Sequence, residues 1–369
     1  MTPPGTLSAT RPADALRGLD RQAARQRLGL IGLGGGLLVS LFLGLGLGAV
    51  QVPPAAVLSL LAEQLGVPPL VATSPVQETV LLAIRLPRAL LAVLVGAALA
   101  VAGAALQGLF RNPLADPSLI GVSTGAALAA GGVIVLGGLV AGPLFDAVQG
   151  LALPLAAFLG GLATTALAYR IANRHGQTQV ATLLLAGIAL NAMAGAGIGL
   201  LIFLSDDQAL RDLNFWMLGS LGGITWERLL LAAPLIIAPT LAVLLLARPL
   251  NALLFGETEA LHLGFDVEAA KRWTVVLVAL AVGAAVALSG VIGFVGLVVP
   301  HLIRLTLGPD HRVLLPAAMM LGASLLLLAD LVARTVVLPA ELPIGIVTSC
   351  LGGPFFIWLL LRRRVAGLW

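Results

Sequence analysis

The chain has 369 residues, of which 59% are hydrophobic and only 10% are charged. This composition excludes a soluble globular protein and indicates a polytopic membrane protein, because about 20 apolar residues suffice to cross about 30 Å of hydrocarbon. The single cysteine, Cys350, excludes an intramolecular disulfide and a thiolate metal site, and we expect it to be a small apolar residue of the last span.

Apolar runs of spanning length predict an all-α protein with about ten transmembrane helices in one domain, residues 28–369. The expected spans are 28–50, 89–110, 119–140, 151–171, 180–204, 229–247, 273–290, 292–307, 314–333 and 343–361. Residues 1–27 are predicted to form a partly disordered tail. The first run is about 23 residues long, longer than a signal peptide's apolar region, and is therefore kept as a span.

The distribution of basic residues predicts the orientation. With the N-terminus inside, sixteen of the 21 basic residues fall on the inner side, as expected for cytoplasmic loops. Both termini are therefore predicted to be cytoplasmic. Glycine pairs at a spacing of four, Gly32/Gly36, Gly44/Gly48 and Gly195/Gly199, predict close helix packing.

If the chain is an active transporter, the absence of certain residues and motifs limits its possible energy sources. An ion-coupled carrier is expected to hold acidic residues or histidines at membrane depth, whereas the ionisable residues here lie at span ends or in loops. The chain also contains no G-x-x-x-x-G-K-[ST] motif, so it cannot itself cradle ATP in a P-loop. A mechanical input from a separate ATPase is the favoured alternative.

One inner segment is large enough to receive such an input. Residues 248–272 combine acidic side chains with apolar ones that are too few to span and too regular for coil, and they are predicted to form two short helices. Near the second span, Pro87 is predicted to start a helix, and Ser118 to cap the third span.

The sequence resembles the permeases of binding-protein-dependent ABC importers for iron-siderophores, heme and cobalamin, often called the FecCD type. Four blocks carry the resemblance in the expected order: RLPRALLAVLVGAALAVAGAALQGLFRNPLADPSLIGVSTG (Arg85–Gly125), LFGETEALHLG (Leu254–Gly264), SGVIGFVGLVVPHLIRLTLGPDHR (Ser289–Arg312) and LLADLVARTVVLPAELPIGIVTSCLGGPFFIWLL (Leu327–Leu360). The resemblance implies a homodimer with the fold of the cobalamin-importer permease, two cytoplasmic ATPase subunits and a periplasmic substrate-binding protein.

Residue roles follow from the same resemblance. The two short helices would dock into the ATPase through Leu250, Phe255, Gly256, Glu257, Leu261 and Gly264. The alternative is an amphipathic helix on the membrane surface, which usually carries Lys and Arg rather than acidic side chains. Outward arginines would receive carboxylates of the binding protein, and the matching positions are Arg85, Arg88 and Arg334. Alternatively, these arginines pair locally with Glu78 and Asp330.

Residues 205–223 are predicted to form a short re-entrant helix on the periplasmic side. The resemblance implies that this helix and the fifth span line the pathway, with Asn191, Met193, Arg211, Phe215, Trp216 and Met217 near the two-fold axis. Arg211 would either meet heme propionates or pair with Asp207. The two methionines are expected to be flexible lining rather than axial ligands of heme iron.

These observations predict a non-catalytic permease subunit in the bacterial inner membrane, with heme as the first choice of substrate and ferric siderophore or cobalamin as alternatives. ATP and Mg²⁺ are expected to be used by the partner ATPase. We expect no permanently bound cofactor, no metal site and no nucleic-acid partner. The alternative from a different class is an ion-coupled secondary transporter.

Overall fold

The computed structural model describes residues 12–137 and 149–365, and these residues are almost entirely helical. The first half contains α1 (Pro12–Gly46), α2 (Pro54–Glu63), α3 (Pro75–Thr79), a π-helix (Val80–Arg85), α4 (Leu86–Leu109), a 3₁₀-helix (Pro117–Ile120), α5 (Val122–Leu136), α6 (Gln149–Ala172) and a hairpin of β1 (Asn173–Arg174) and β2 (Gln177–Thr178). The second half contains α7 (Val180–Leu204), α8 (Asp207–Leu218), α9 (Trp226–Leu245), α10 (Ala247–Leu253), α11 (Glu257–His262), α12 (Val267–Ser289), α13 (Val295–Leu307), α14 (His311–Ala333) and α15 (Ile344–Val365).

The predicted spans correspond to helices of this structure. Seven helical segments of the described chain are long and apolar enough to cross a membrane, and they include the predicted first, second, fourth to seventh and ninth spans. The shorter apolar helices α5, α13 and α15 coincide with the other three predicted spans. The predicted third span ends at residues 138–140, outside the described residues. The all-α, polytopic fold is therefore confirmed.

The N-terminal boundary differs from the prediction. Residues 12–27, predicted to be part of a partly disordered tail, continue the first span as one 35-residue helix. Alanine, arginine, leucine and glutamine dominate this stretch, and all four favour helix, so propensity outweighs polarity here. Residues 1–11 of the predicted tail lie outside the described residues.

The second span begins earlier than the sequence predicts. Its helix runs without interruption from Pro75 to Leu109, and Pro87 lies within the first turn of α4 rather than at the start of the whole segment. The six π-helical residues Val80–Arg85 precede α4 directly. Such widened turns frequently accompany functional sites, and this one ends at an arginine with a predicted docking role.

The cap predicted at Ser118 is also corrected. Asp116 caps the 3₁₀-helix, because its carboxylate accepts a hydrogen bond from the backbone N–H of Ser118 at 2.9 Å. Gly121 then precedes α5 in the left-handed conformation, with φ of 87°. Carboxylates cap helices as well as hydroxyls do, so residue type alone does not decide between these neighbours.

Helix α4 lies at the centre of the bundle and packs against α9, α12, α13 and α14. Glycines allow two of these contacts to be close. A Cβ atom on Gly103 would lie 1.8 Å from the carbonyl oxygen of Gly296, and one on Gly96 would lie 2.3 Å from that of Gly322. Neither position can hold a larger residue without moving a backbone.

The glycines singled out by their spacing play a smaller part within this subunit. A Cβ atom at Gly32, Gly36, Gly195 or Gly199 would meet nothing within 4 Å, so these glycines do not bring helices of the described chain together. Spacing identifies a helix face but not what covers it, so the close packing predicted for these two pairs is not found within the described chain.

Helix α14 defines two ends of the bundle. Its 23 residues correspond to about 34 Å at 1.5 Å per residue, which is close to the thickness of a bilayer's hydrocarbon core. His311 at its start lies beside the short helix α10, and Asp330 near its finish lies beside the start of α4. The predicted ATPase contacts and the predicted docking arginines therefore occupy opposite ends.

Candidate functional site

Two short helices, α10 and α11, form the break predicted between the sixth and seventh spans, and they are called here the helix pair. Gly256 joins them with φ of 122°, a conformation that side-chain-bearing residues rarely adopt. Gly264 follows α11 with φ of 83° and ends the pair in the same way. The two glycines explain why the chain turns sharply at both places.

The helix pair presents an apolar surface outward. Phe255 is 76% exposed, and Leu254, Leu261 and Leu263 are exposed as well. Leu250, predicted as a contact of the same surface, is fully buried and instead packs beneath the pair. Exposed leucine and phenylalanine side chains grouped beside carboxylates are typical of a protein interaction surface.

Polar contacts tie α10 to the beginning of α14. The side-chain amide of Asn251 donates to Asp310 Oδ1 at 2.6 Å, and its carbonyl oxygen accepts the backbone N–H of His311 at 2.9 Å. The same oxygen lies 2.8 Å from Nδ1 of His311. These contacts join α10 directly to the start of a helix that crosses the whole bundle.

At the opposite end, Arg88 lies in a buried ionic network. Its guanidinium is 2.8 Å from Asp330 and 2.9 Å from Glu341. Arg334 approaches Asp330 at 3.6 Å, as the local alternative predicted, although Asp330 pairs more closely with Arg88. We call Arg85, Arg88, Arg334, Asp330 and Glu341 the arginine cluster.

Arg85 and Arg334 also donate to the end of the first span. Arg85 Nη1 reaches the carbonyl oxygens of Leu45 and Gly46 at 2.8 and 2.9 Å. Arg334 donates to the carbonyl oxygen of Gly44. All three predicted docking arginines are thus largely buried and hydrogen-bonded within the protein, and Arg85 and Arg88 are only 5% and 8% exposed.

The predicted re-entrant segment contains helix α8, which Asp206 caps through the N–H of Ala209 at 2.8 Å. Phe215 and Trp216 of α8 line a cavity of about 430 Å³. The cavity is also lined by Asp212, Ser220 and Ser289, none of which the sequence singled out, as well as by Ile134, Leu153, Gly222, Leu288 and Gly290. The two aromatic residues are the predicted pathway side chains that the structure brings together.

The other predicted pathway residues are dispersed. Asn191 of α7 donates to the carbonyl oxygen of Ser118 at 3.0 Å and accepts from the Thr124 hydroxyl, so its amide holds helices together. Met193 is 69% exposed on α7, and Met217 is partly buried on α8. In the described part of the chain, Arg211 is exposed and makes no ion pair with Asp207.

Sequence reasoning assigned no role to Lys271 or Asn251, and it expected Asp330 to pair locally and not with Arg88. Lys271, Asn251 and Asp330 provide the principal polar contacts at the two ends, yet their partners lie up to 242 residues away along the chain. Lys271 is the only lysine of the protein. All other basic residues apart from the histidines are arginines, and this contrast was the one feature of the sequence that could have drawn attention to Lys271.

Comparison with known proteins agrees with this geometry. The FecCD transport family matches residues 36–362, so the similarity begins well before Arg85, where the motifs start. The hemin transport system permease protein of Yersinia pestis is 54% identical over 76% of this chain and 83% of its own length. The vitamin B12 import system permease protein of Klebsiella pneumoniae is 44% identical over 94% of this chain and 97% of its own length.

A solved structure shares the fold. A metal-chelate type ABC transporter in an inward-facing conformation matches with a TM-score of 0.77 and 34% sequence identity, over 90% of this chain and 98% of that one. The family match extends from residue 36 to residue 362, and each of the two relatives and the solved structure covers at least 76% of the chain. The chain therefore belongs to the FecCD transport family.

Proposed function

We propose that this chain is the membrane-spanning permease subunit of an ATP-driven, binding-protein-dependent importer, and that it carries heme across the inner membrane. The observation that carries the proposal is the helix pair, which exposes Phe255, Leu261 and Leu263 beside acidic side chains at one end of the bundle. Such a surface is suited to a protein partner. A hemin permease at 54% identity supports the choice of cargo.

The partner at the helix pair is a cytoplasmic ATPase subunit, one for each copy of the permease. ATP and Mg²⁺ bind to that partner, and this chain takes no part in the hydrolysis. Closure of two ATPase subunits would move the helix pair, and the contacts of Asn251 with Asp310 and His311 would carry the motion into α14. Movement of α14 changes the packing around α4 and thereby the access to the pathway.

The proposed orientation places the helix pair in the cytoplasm and the arginine cluster in the periplasm. Inner loops then carry most of the arginines, as cytoplasmic loops do. Both chain termini lie in the cytoplasm in this arrangement. Labelling of Phe255→Cys in a Cys350→Ser background by a membrane-impermeant maleimide tests it, since the introduced cysteine should react only after the cytoplasmic side is opened.

The arginine cluster is the proposed docking site of the periplasmic binding protein. Its arginines already contact internal partners in the isolated subunit, so docking must open the contacts of Arg88 and Arg334 with Asp330. Carboxylates of the partner would then replace Asp330 and Glu341. Association should therefore weaken as salt is added and should weaken further in Arg334→Gln. An affinity that is unchanged by added salt and by Arg334→Gln would refute docking at this cluster.

Heme is favoured as cargo by the chemistry around α8 as well as by the relative. Phe215 and Trp216 offer flat apolar surface on the cavity, and the exposed Arg211, which has no ion pair among the described residues, can donate to a propionate. Cobalamin is the second candidate, because a vitamin B12 permease matches over 94% of this chain. A ferric siderophore is the third, supported by the metal-chelate type transporter.

Reconstitution tests the function directly. Proteoliposomes that contain the permease, its ATPase and its binding protein should take up heme when ATP is supplied and should continue when ion gradients are dissipated. Uptake that stops with the gradients instead would identify an ion-coupled transporter. Comparison with cobalamin and a ferric siderophore assigns the cargo, and Arg211→Gln should reduce heme uptake selectively.

A further inference from the structure

Lys271 is the only lysine of the chain, and it is 2% exposed. It is the fifth residue of α12, the helix that follows the helix pair in the chain. Lysine is almost never fully buried unless its ammonium group is paired, because removing the charge from water is costly. The position of Lys271 therefore requires an environment that replaces water completely.

Three acceptors provide that environment. The ammonium group lies 2.6 Å from Oε2 of Glu257, 2.9 Å from Oε1 of Glu268 and 2.9 Å from the carbonyl oxygen of Thr178. A lysine has three N–H donors, so each donor is used once. The second carboxylate oxygen of Glu268 accepts the backbone N–H of Thr178 at 2.8 Å, which closes the network.

The three acceptors belong to three different elements. Glu257 is the first residue of α11, Glu268 belongs to α12, and Thr178 ends the hairpin that connects α6 to α7. Resting on the function proposed above, we propose that Lys271 is a positioning residue that fixes α11 against α12 and the hairpin. A movement of α11 would then reach α6, α7 and α12 through one ammonium group.

The size of α11 explains why it needs such a residue. Six residues are too few for a stable isolated helix, so its place depends on tertiary contacts. Ala260 is its buried apolar residue, whereas most of its other side chains are exposed or half-exposed. The bond from Lys271 to Glu257 is charge-assisted and is the shortest of the three. Helix α10 is held separately, through Asn251.

Amide hydrogen exchange of the full-length protein in lipid nanodiscs, without the ATPase, tests this role. Both Lys271→Met and Glu257→Ala should accelerate exchange across residues 257–265 by about tenfold or more, the effect of losing one hydrogen bond to a charged group. Only Lys271→Met should also accelerate exchange around Thr178. Arg272→Met is the matched control, because it removes a neighbouring exposed cation and should leave both regions unchanged.

Glu257→Ala is the decisive variant, since it removes one acceptor while Lys271 keeps the other two and the fold is expected to be retained. If Lys271 only neutralised Glu268 within α12, this variant would exchange as the wild type does, and the positioning role would be overturned. It would also be overturned if exchange increased while uptake per ATP hydrolysed stayed at the wild-type value. Failure of the wild type to bind the ATPase would instead refute the proposed function and leave the exchange result standing.

Discussion

Arg88 illustrates at the scale of single residues how this membrane protein tolerates buried charge. Its guanidinium and the carboxylate of Asp330 are both nearly inaccessible to solvent and lie 2.8 Å apart. The half-exposed carboxylate of Glu341 forms a second ion pair with Arg88. Burying either charge alone would cost several kcal/mol. The three residues come from α4, from α14 and from the segment that follows α14, so the pairing holds these parts together.

Replacement of Arg88 by methionine should therefore destabilise the protein strongly. Asp330 would remain buried with only the more distant Arg334, and the free energy of unfolding should fall by about 3–5 kcal/mol. Unfolding by denaturant in detergent measures the loss. Glu341→Gln is the control, because its carboxylate is half exposed and Arg88 keeps Asp330, so it should cost less than about 1 kcal/mol. Equal effects of the two substitutions would contradict this account.

Asp116 allows a prediction about pH. Burial of its carboxyl raises its pKa, and the hydrogen bond from Ser118 offsets only part of that effect. The folded state therefore binds a proton more tightly than the unfolded state, whose carboxyl has a pKa of about 4. The stability that this proton contributes is fully present below the unfolded pKa and is lost as the pH rises through the raised folded pKa.

Asp116→Asn removes this titration and keeps an oxygen that can cap the 3₁₀-helix. The stability of the variant relative to wild type should therefore increase as the pH is raised from about 4 to neutrality. Thermal unfolding of both proteins in the same detergent and at several pH values measures the difference. A difference independent of pH, or one that shrinks with rising pH, would show that the carboxyl does not titrate as inferred.

At the scale of secondary-structure elements, the helix pair has one set of apolar residues exposed to solvent and another set buried against the bundle. Phe255 and Leu261 point away from the bundle and are exposed, whereas Leu250 and Ala260 are buried beneath them. The variant Phe255→Asp with Leu261→Asp should therefore abolish ATPase association and uptake while leaving the unfolding transition close to that of wild type. Co-purification of the ATPase and thermal unfolding measure the two effects.

A control for this variant is available at a site predicted to lie outside. Leu65→Asp changes a leucine that is even more exposed, in the segment between the first and second spans, and should leave ATPase association intact. If both variants lost the ATPase, the cause would be a general effect of surface charge. If neither lost it, the helix pair would not be the contact.

The helices were predicted well from the sequence, whereas the contacts between distant segments were predicted poorly, and the difference has a physical reason. Hydropathy is a property of each residue, so spans and the short helix pair can be recognised from a local run. The long reach of the helix from Pro75, the pairing of Arg88 with Asp330 and the burial of Leu250 depend on contacts between distant segments. The family resemblance supplied roles for residues but not the partners that hold them in place.

At the scale of the whole molecule, several helices of the described chain are largely exposed, and α7 is one of them. Much of α7 is exposed, including Met193, Leu200 and Phe203, and Gly195 and Gly199 on the same helix have open space beside them. Lipid can cover leucine and phenylalanine as readily as protein can, so exposed apolar residues alone do not imply a partner. Glycines four residues apart do favour one, because they let a second backbone approach closely.

The open pair Gly32/Gly36 on α1 would serve equally well, but the resemblance implies that the fifth span lies near the two-fold axis. We therefore expect α7 to meet its counterpart in a second copy of the chain. Met193→Cys in a Cys350→Ser background should form a disulfide between two copies on oxidation in the membrane, seen as a band of doubled mass on a denaturing gel. Leu241→Cys on α9 is also exposed and should remain monomeric, which controls for random collision. Gly195→Leu should reduce the Met193→Cys product, since the added side chain would keep the helices apart. Equal cross-linking at both positions would place the interface of a dimer elsewhere.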